Sequence, residues 1–133
     1  MPLLSIGMIV KNEESTLRQT LMALQTLRDA ISCQLIIADT GSTDGTLQIA
    51  EEFADIVFSI PWEDDFAKAR NATLKKATGQ WFFYLDADEK LEDSEELIEF
   101  LKSSRSRKFN AIRLMIRSIT SSRNCLLYTS RCV

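Results

Sequence analysis

The chain has 133 residues, 45% of them hydrophobic and 26% charged, a balance that suits one folded domain with one core and argues against disorder. No apolar run approaches the ~20 residues of a membrane span, and the absence of histidine excludes every histidine-based mechanism, from Ser-His-Asp hydrolysis to His-ligated zinc. The net charge of −3 is unevenly spread: residues 1–99 carry all 19 acids and 8 of the 16 bases, a net −11, while residues 100–133 carry the other 8 bases and no acid, a net +8.

The chain opens on MPLLSIGMIVKNEES, with no basic stretch before its apolar run and no small-residue cleavage site, so no signal peptide is expected. Leu3 to Val10 has strand length and includes the β-branched Ile6, Ile9 and Val10. It stops at Lys11-Asn12-Glu13-Glu14, where Asn12 is expected to cap a helix and to set Glu13 and Glu14 in its positive first turn. Leu17, Leu21, Leu24 and Ile31 follow at helical spacing, which predicts a helix to about Asp29. Gln34 to Asp39 is a second strand, and Thr40 to Asp44 a turn cluster. A helix with Leu47, Ala50, Phe53 and Ala54 on one face comes next. Ile56 to Ile60 is a short third strand ended by Pro61. Phe66 to Ala77 is helical by its apolar spacing, with Gly79 placed to end it. Trp81 to Leu85 (WFFYL) reads as a fourth strand, too apolar to be exposed on either face. Asp93 and Glu96 form a capping pair for a helix to about Leu101. Finally, Phe109 to Ile119 alternates Ile112, Leu114 and Ile116 with Arg113, Met115 and Arg117, a strand with one polar face.

Buried runs alternating with amphipathic helices predict an α/β domain with a mostly parallel sheet. Such sheets bind ligands beyond the carboxyl ends of their strands, so the loops of interest are residues 11–14, 39–46, 61–71 and 86–89. Residues 125–133 (CLLYTSRCV) continue no pattern. Cys125 to Ser130 can be back-translated as TGT CTC TTA TAC ACA TCT, which resembles the transposon end used in sequencing-library preparation. The expectation is a domain over residues 1–124, cut short near Asn124, followed by an artefactual tail over residues 125–133. Cys33, Cys125 and Cys132 fit neither a disulfide framework nor a zinc site, so a reducing, cytoplasmic setting is expected. The basic residues beyond position 99 suit a solvated edge strand with a disordered tail, or contact with a membrane surface or a phosphorylated ligand.

Three loops carry chemistry. Asp86-Ala87-Asp88-Glu89 directly follows WFFYL, and two carboxylates two residues apart at a strand end can converge on one hard cation. Oxygen ligands with open positions suit Mg²⁺ or Mn²⁺, the remaining sites going to water and substrate phosphate. In Asp39-Thr40-Gly41-Ser42-Thr43-Asp44-Gly45-Thr46, Asp39 can accept hydrogen bonds from a ribose or a base N–H, although Ser42, Thr43 and Asp44 also read as plain helix caps. In Pro61 to Asn71 (PWEDDFAKARN), Arg70 can hold a phosphate by two hydrogen bonds or pair on the surface with Asp64 or Asp65.

The order SIGMIVKNEE, IIADTGSTDGT, PWEDDFAKARN, WFFYLDADE resembles the nucleotide-sugar-binding half of family 2 glycosyltransferases, over residues 3 to about 100. The resemblance implies the GT-A fold, a Rossmann-like three-layer architecture with a mostly parallel sheet, incomplete here at the C-terminus. The subgroup that joins KNEE, DTGSTDGT and W-x-DDF-x-x-ARN includes bacterial lipopolysaccharide-core and peptide-modifying transferases, which implies work on cell-envelope polysaccharide. By this resemblance Glu13 and Asp39 would hold the nucleoside, with Val10 and Asn12 in the same donor site. Arg70 would sit at the diphosphate or nucleoside. Asp86 would face the ribose and sugar and, with Asp88, a divalent Mn²⁺ or Mg²⁺ bridging the diphosphate. The implied donor is a nucleotide-diphosphate sugar, a UDP-sugar first, and the implied acceptor a saccharide, a lipid-linked molecule or a peptide. No nucleic-acid partner is expected, and the cytoplasmic setting extends to peripheral contact with the inner face of the membrane. Thr40 stands where the family usually has a second acid. The family's general base, usually an acid, lies downstream, and no Asp or Glu follows Glu99.

The implied reaction is inverting transfer to an acceptor hydroxyl. Three other readings stand beside it. A nucleotide-sugar-binding fragment without turnover fits the same residues. An aspartyl phosphatase also uses DxD, but after its first strand. A sugar nucleotidyltransferase opens with a Gly-rich basic loop, which KNEE is not.

Overall fold

The sheet follows from strands that are apolar on both faces. In the computed structural model, which describes residues 2–92, 94–111, 113–119 and 126–132, β1 (Leu4–Val10), β2 (Cys33–Asp39), β3 (Ile56–Ser59) and β4 (Trp81–Tyr84) pair in parallel in the order β3-β2-β1-β4. The connections hold α1 (Glu14–Ala23), α2 (Gln25–Ala30), α3 (Thr46–Phe53) and α4 (Phe66–Lys76). After β4 come α5 (Glu95–Lys102), a 3₁₀ turn (Ser104–Lys108), and β5 (Arg113–Ile119) and β6 (Leu126–Cys132), which pair antiparallel as a separate sheet.

Strand alternation sorts the layers. Leu4, Ile6, Met8 and Val10 of β1 stand in register with Cys33, Leu35, Ile37 and Asp39 of β2, and Leu4 and Ile6 with Trp81 and Phe83 of β4. That face builds the main core with Leu17, Leu21, Leu24 and Leu27, Ile49 and Ala50, and Leu97 and Leu101 from the helices. The opposite face takes α4. A Cβ on Gly7 would stand 2.5 Å from the Phe82 ring and 2.6 Å from Thr73 Oγ1, so the missing side chain is what lets α4 lie close on β1. Layers on both sides of a parallel sheet are the expected α/β arrangement.

Several local expectations change. Asn12 does not cap α1: it adopts φ 51°, a left-handed conformation that Asn tolerates better than most residues, and Glu13 takes the N-cap position. The long helix to Asp29 is two helices, because the Leu24 N–H turns back to the Leu21 carbonyl at 3.2 Å, an i−3 bond that tightens the turn. Gly79 does not end α4, which stops at Lys76 where Ala77 turns extended; the Gly79 N–H instead donates to Ser5 Oγ at 2.8 Å. In WFFYL only Phe83 and Leu85 are buried, while Trp81, Phe82 and Tyr84 are half-buried: among the described residues β4 pairs with β1 alone. The last predicted strand starts at Arg113 rather than Phe109, residues 104–108 having closed into the 3₁₀ turn. Asp93 and its capping pair, the faces expected from Ile112 to Arg117, and the boundary at Asn124 and Cys125 lie outside what is described.

Candidate functional site

The loops after β1 and β2 are joined side by side. The Asn12 N–H donates to Ser42 Oγ at 3.0 Å, Asn12 Oδ1 accepts from the Thr43 N–H at 2.8 Å, and the Glu13 N–H donates to Thr46 Oγ1 at 2.8 Å. Thr40 donates to the Val10 carbonyl through both its N–H and its hydroxyl, at 3.0 and 3.2 Å. Asp39, 4% exposed, accepts from the Gly41 and Ser42 N–H groups at 3.3 and 3.2 Å and from Ser42 Oγ at 2.5 Å. Asp44 accepts from the Thr46 hydroxyl and N–H at 2.5 and 3.0 Å, and the hydroxyl bond holds its carboxyl below the usual range. Ser42, Thr43 and Asp44 are therefore not the caps of α3, whose N-cap is Gly45 with no side-chain cap bond; the DTGSTDGT run instead braces the KNEE loop.

The loop after β4 is held from two sides. The Asp86 N–H donates to Glu89 Oε1 at 2.9 Å and the Glu89 N–H returns to the Asp86 carbonyl at 3.0 Å, which closes the turn. From α1, the buried Thr20 hydroxyl donates to the Ala87 carbonyl at 2.7 Å. Ala87 is itself buried, so Asp86 and Asp88 project from a pinned backbone.

A cleft of about 540 Å³ opens at these strand ends. Val10, Lys11, Glu13 and Thr40 line one side and Tyr84, Asp86 and Asp88 another, while Trp62, Phe66 and Arg70 come from the segment that leads into α4. That segment is tied to its own helix. Asp65 caps α4 by accepting from the Lys68 N–H at 3.0 Å, Lys68 Nζ pairs with Glu63, and Trp62 Nε1 donates to Asp64 Oδ1 at 2.8 Å. Asp64, with φ 53°, pays for the tight bend in backbone strain. Phe66 is 62% exposed and meets Trp62 edge to face at 4.8 Å. The Arg70 guanidinium lies over the Tyr84 ring, 4.4 Å from its centroid. The surface ion pair considered for Arg70 with Asp64 or Asp65 is replaced by these arrangements.

Of the residues singled out in the sequence, Val10, Glu13, Arg70, Asp86 and Asp88 meet at the cleft. Asn12 and Asp39 are not among its lining residues and lie in the loop network behind it. Lys11, Thr40, Trp62, Phe66 and Tyr84 line it without having been singled out for it, and Thr20 supports it from behind. The signals for Trp62, Phe66 and Tyr84 were available: aromatic residues beside motif acids, at the carboxyl ends of strands. Among the described residues no group of three or more Asp, Glu, Cys or His side chains is gathered as a ready metal cage, and no helix is long and apolar enough to cross a membrane.

Residues 5–114 match the domain described as glycosyl transferase family 2. The chain belongs to this family. Its curated relatives include a TPR repeat-containing protein of Synechococcus elongatus, 41% identical over 65% of this chain and 21% of its own length. Glycosyltransferase SunS of Bacillus subtilis is 33% identical over 65% of this chain and 20% of its own length. The lipopolysaccharide core biosynthesis glycosyltransferase LpsC of Rhizobium meliloti is 32% identical over 76% and 38%. The chain thus spans between a fifth and two fifths of these relatives. Solved structures share the fold. S. aureus TarS 1–349 in complex with UDP-GlcNAc superposes with a TM-score of 0.69 at 21% identity, over 92% of this chain and 36% of that one. The mannosyltransferase PcManGT of Pyrobaculum calidifontis, in complex with GDP-Man and Mn²⁺, gives 0.63 at 22% identity, over 77% and 33%. The three-layer α/β architecture is that of the GT-A glycosyltransferases.

Proposed function

We propose that this chain is the donor-binding part of a glycosyltransferase, taking a nucleotide-diphosphate sugar, UDP-linked first, in the cleft at the strand ends. The observation that carries the reading is that Arg70 and the Asp86–Asp88 pair line one cavity: a guanidinium and two carboxylates able to recruit a cation are what a diphosphate needs on its two sides. UDP-GlcNAc in TarS and GDP-Man with Mn²⁺ in PcManGT, on the same fold, support it.

Asp86 and Asp88 fit a hard divalent ion as donors, since Mg²⁺ and Mn²⁺ sites commonly use one or two carboxylates and complete their shell with water and phosphate oxygens. Mn²⁺ or Mg²⁺ held there would neutralise the nucleoside diphosphate as it departs. Thr20 and Glu89 keep the turn that presents the two carboxylates. Glu13 lies toward the nucleoside. Asp39 has about four acceptor sites as a carboxylate and spends three on its own loop, so its part is chiefly to shape that loop, with one acceptor position left for a ribose or base donor. Asn12 serves the same loop by clamping Thr43. Acceptor class, membrane contact and the inverting course of transfer follow from family resemblance and extend the same proposal.

Calorimetric titration of UDP with Mn²⁺, with and without chelator, on wild type and Asp88→Asn tests it. Binding that collapses with chelator and falls at least tenfold in Asp88→Asn is the expected outcome. Equal affinity in all arms would remove the metal from the reading, and no UDP binding at all would reject the donor site.

A further inference from the structure

We propose that Tyr84 is a positioning residue: its ring is a shelf that holds the Arg70 guanidinium over the cleft, aimed at the donor diphosphate. The proposal rests on the donor-binding reading above. Arg70 starts from an exposed position on α4, and a long side chain there has many rotamers. Three acids, Glu63, Asp64 and Asp65, precede its helix, and Asp86, Asp88 and Glu89 lie beyond β4, so a free guanidinium has competing places to go. It sits instead 4.4 Å from the centre of the Tyr84 ring. Stacking on an aromatic face suits a flat, weakly hydrated guanidinium, and a side-chain hydrogen bond to Tyr84 adds to the hold; the remaining N–H donors of the fork are left for a diphosphate.

The ring is well placed for this. Tyr84 is the last residue of β4, half-buried, and its backbone is set by pairing with Gly7. Tyr84 and Asp86 leave the strand with the same parity, so one strand end sets the spacing between the cation and the first carboxylate of the DADE turn. Phe66, one helical turn before Arg70, also lines the cleft.

The test uses the 133-residue chain and UDP with Mn²⁺ as probe. Tyr84→Leu removes the ring and is expected to raise Kd about tenfold, the range of a cation–π contact. Tyr84→Phe keeps the ring while giving up the side-chain bond to Arg70; affinity well above that of Tyr84→Leu is expected, which also guards against misfolding of the leucine variant. On an Arg70→Gln background, Tyr84→Leu adds nothing further, since the two act as a unit. A ligand-free signal accompanies these: ring-current upfield shifts of the Arg70 δ-protons in the NMR spectrum of wild type and Tyr84→Phe, absent in Tyr84→Leu. An undiminished effect of Tyr84→Leu on the Arg70→Gln background, or no ring-current shift in wild type, overturns the shelf while leaving the donor site standing. If the shift is present but wild type binds no UDP, the donor reading fails, and the purpose assigned to the shelf fails with it.

Discussion

Thr20 is the residue on which the DADE turn hangs. Its hydroxyl is the donor to a carbonyl lying between the two candidate metal ligands. Thr20→Val keeps the shape but leaves the buried Ala87 oxygen without that donor, a loss of about 1–3 kcal/mol. The expected result is a lower melting temperature together with weaker Mn²⁺-dependent UDP binding, both recovered by Thr20→Ser. A drop in stability with unchanged affinity would confine Thr20 to the core. Cys33 offers a separate check on burial. Desolvation pushes its thiol up to about 11, with Asp55 adding to this and Arg28 opposing it. The fold disfavours the thiolate, so this contribution to stability is whole below pH 9 and drains away as pH climbs toward 11. Alkylation of the Cys33 peptide at pH 8, followed by mass spectrometry, is expected to lag behind that of the same peptide in unfolded chain. At this scale the sequence was legible where charge gathered near strand ends: Glu13, Asp86 and Asp88 from the turns and Arg70 from α4 all line the cleft. Thr20 was silent, because a threonine in an amphipathic helix reads as part of the wet face until the tertiary fold buries it.

Among elements, the approach of α4 to β1 governs where Arg70 begins. Gly7→Ala would drive a methyl into Thr73 Oγ1 and the Phe82 ring, and overpacking of this kind costs about 1–3 kcal/mol. Urea unfolding is expected to show an earlier midpoint with an unchanged slope; a neutral midpoint would mean that α4 sits on the sheet with slack. Strands and helices were read well from the sequence because period-two and period-3.6 patterns report buried faces directly. Their ends were read less well. Asn12 carries two conflicting propensities, helix cap and left-handed turn, and its bonds to the loop after β2, 30 and 31 residues away in sequence, decide for the second. Gly79 was misread for a similar reason: a glycine after a helix suggests a cap, but this one marks where the chain passes β1. WFFYL seemed doubly buried because its apolarity is continuous, whereas its place at one end of the strand order leaves three of its side chains half-open.

For the whole molecule, donor binding and sugar transfer are expected to separate. The chain spans between a fifth and two fifths of its curated relatives, and residues 100–133 offer no carboxylate base. A general base is worth ~10²–10⁴-fold, and acceptor positioning can add more. Release of nucleoside diphosphate by this chain is therefore expected to be slow and independent of acceptor, across saccharide, lipid and peptide panels. Acceptor-dependent release would place the base elsewhere in the chain, with Glu63, Asp64 and Asp65, in the segment before α4, the first to mutate. The strand order has one more consequence, and it concerns synthesis. Of the four parallel strands the inner strand β1 is made before the others, and one of its edges finds its partner only when Trp81–Tyr84 have been made. Until then β1 shows a bare, apolar hydrogen-bonding edge, the feature by which nascent chains pair with the wrong neighbour. The strand that closes this edge also delivers Asp86 and Asp88, so the interval in which the growing polypeptide is most prone to stick ends as its two candidate cation ligands emerge.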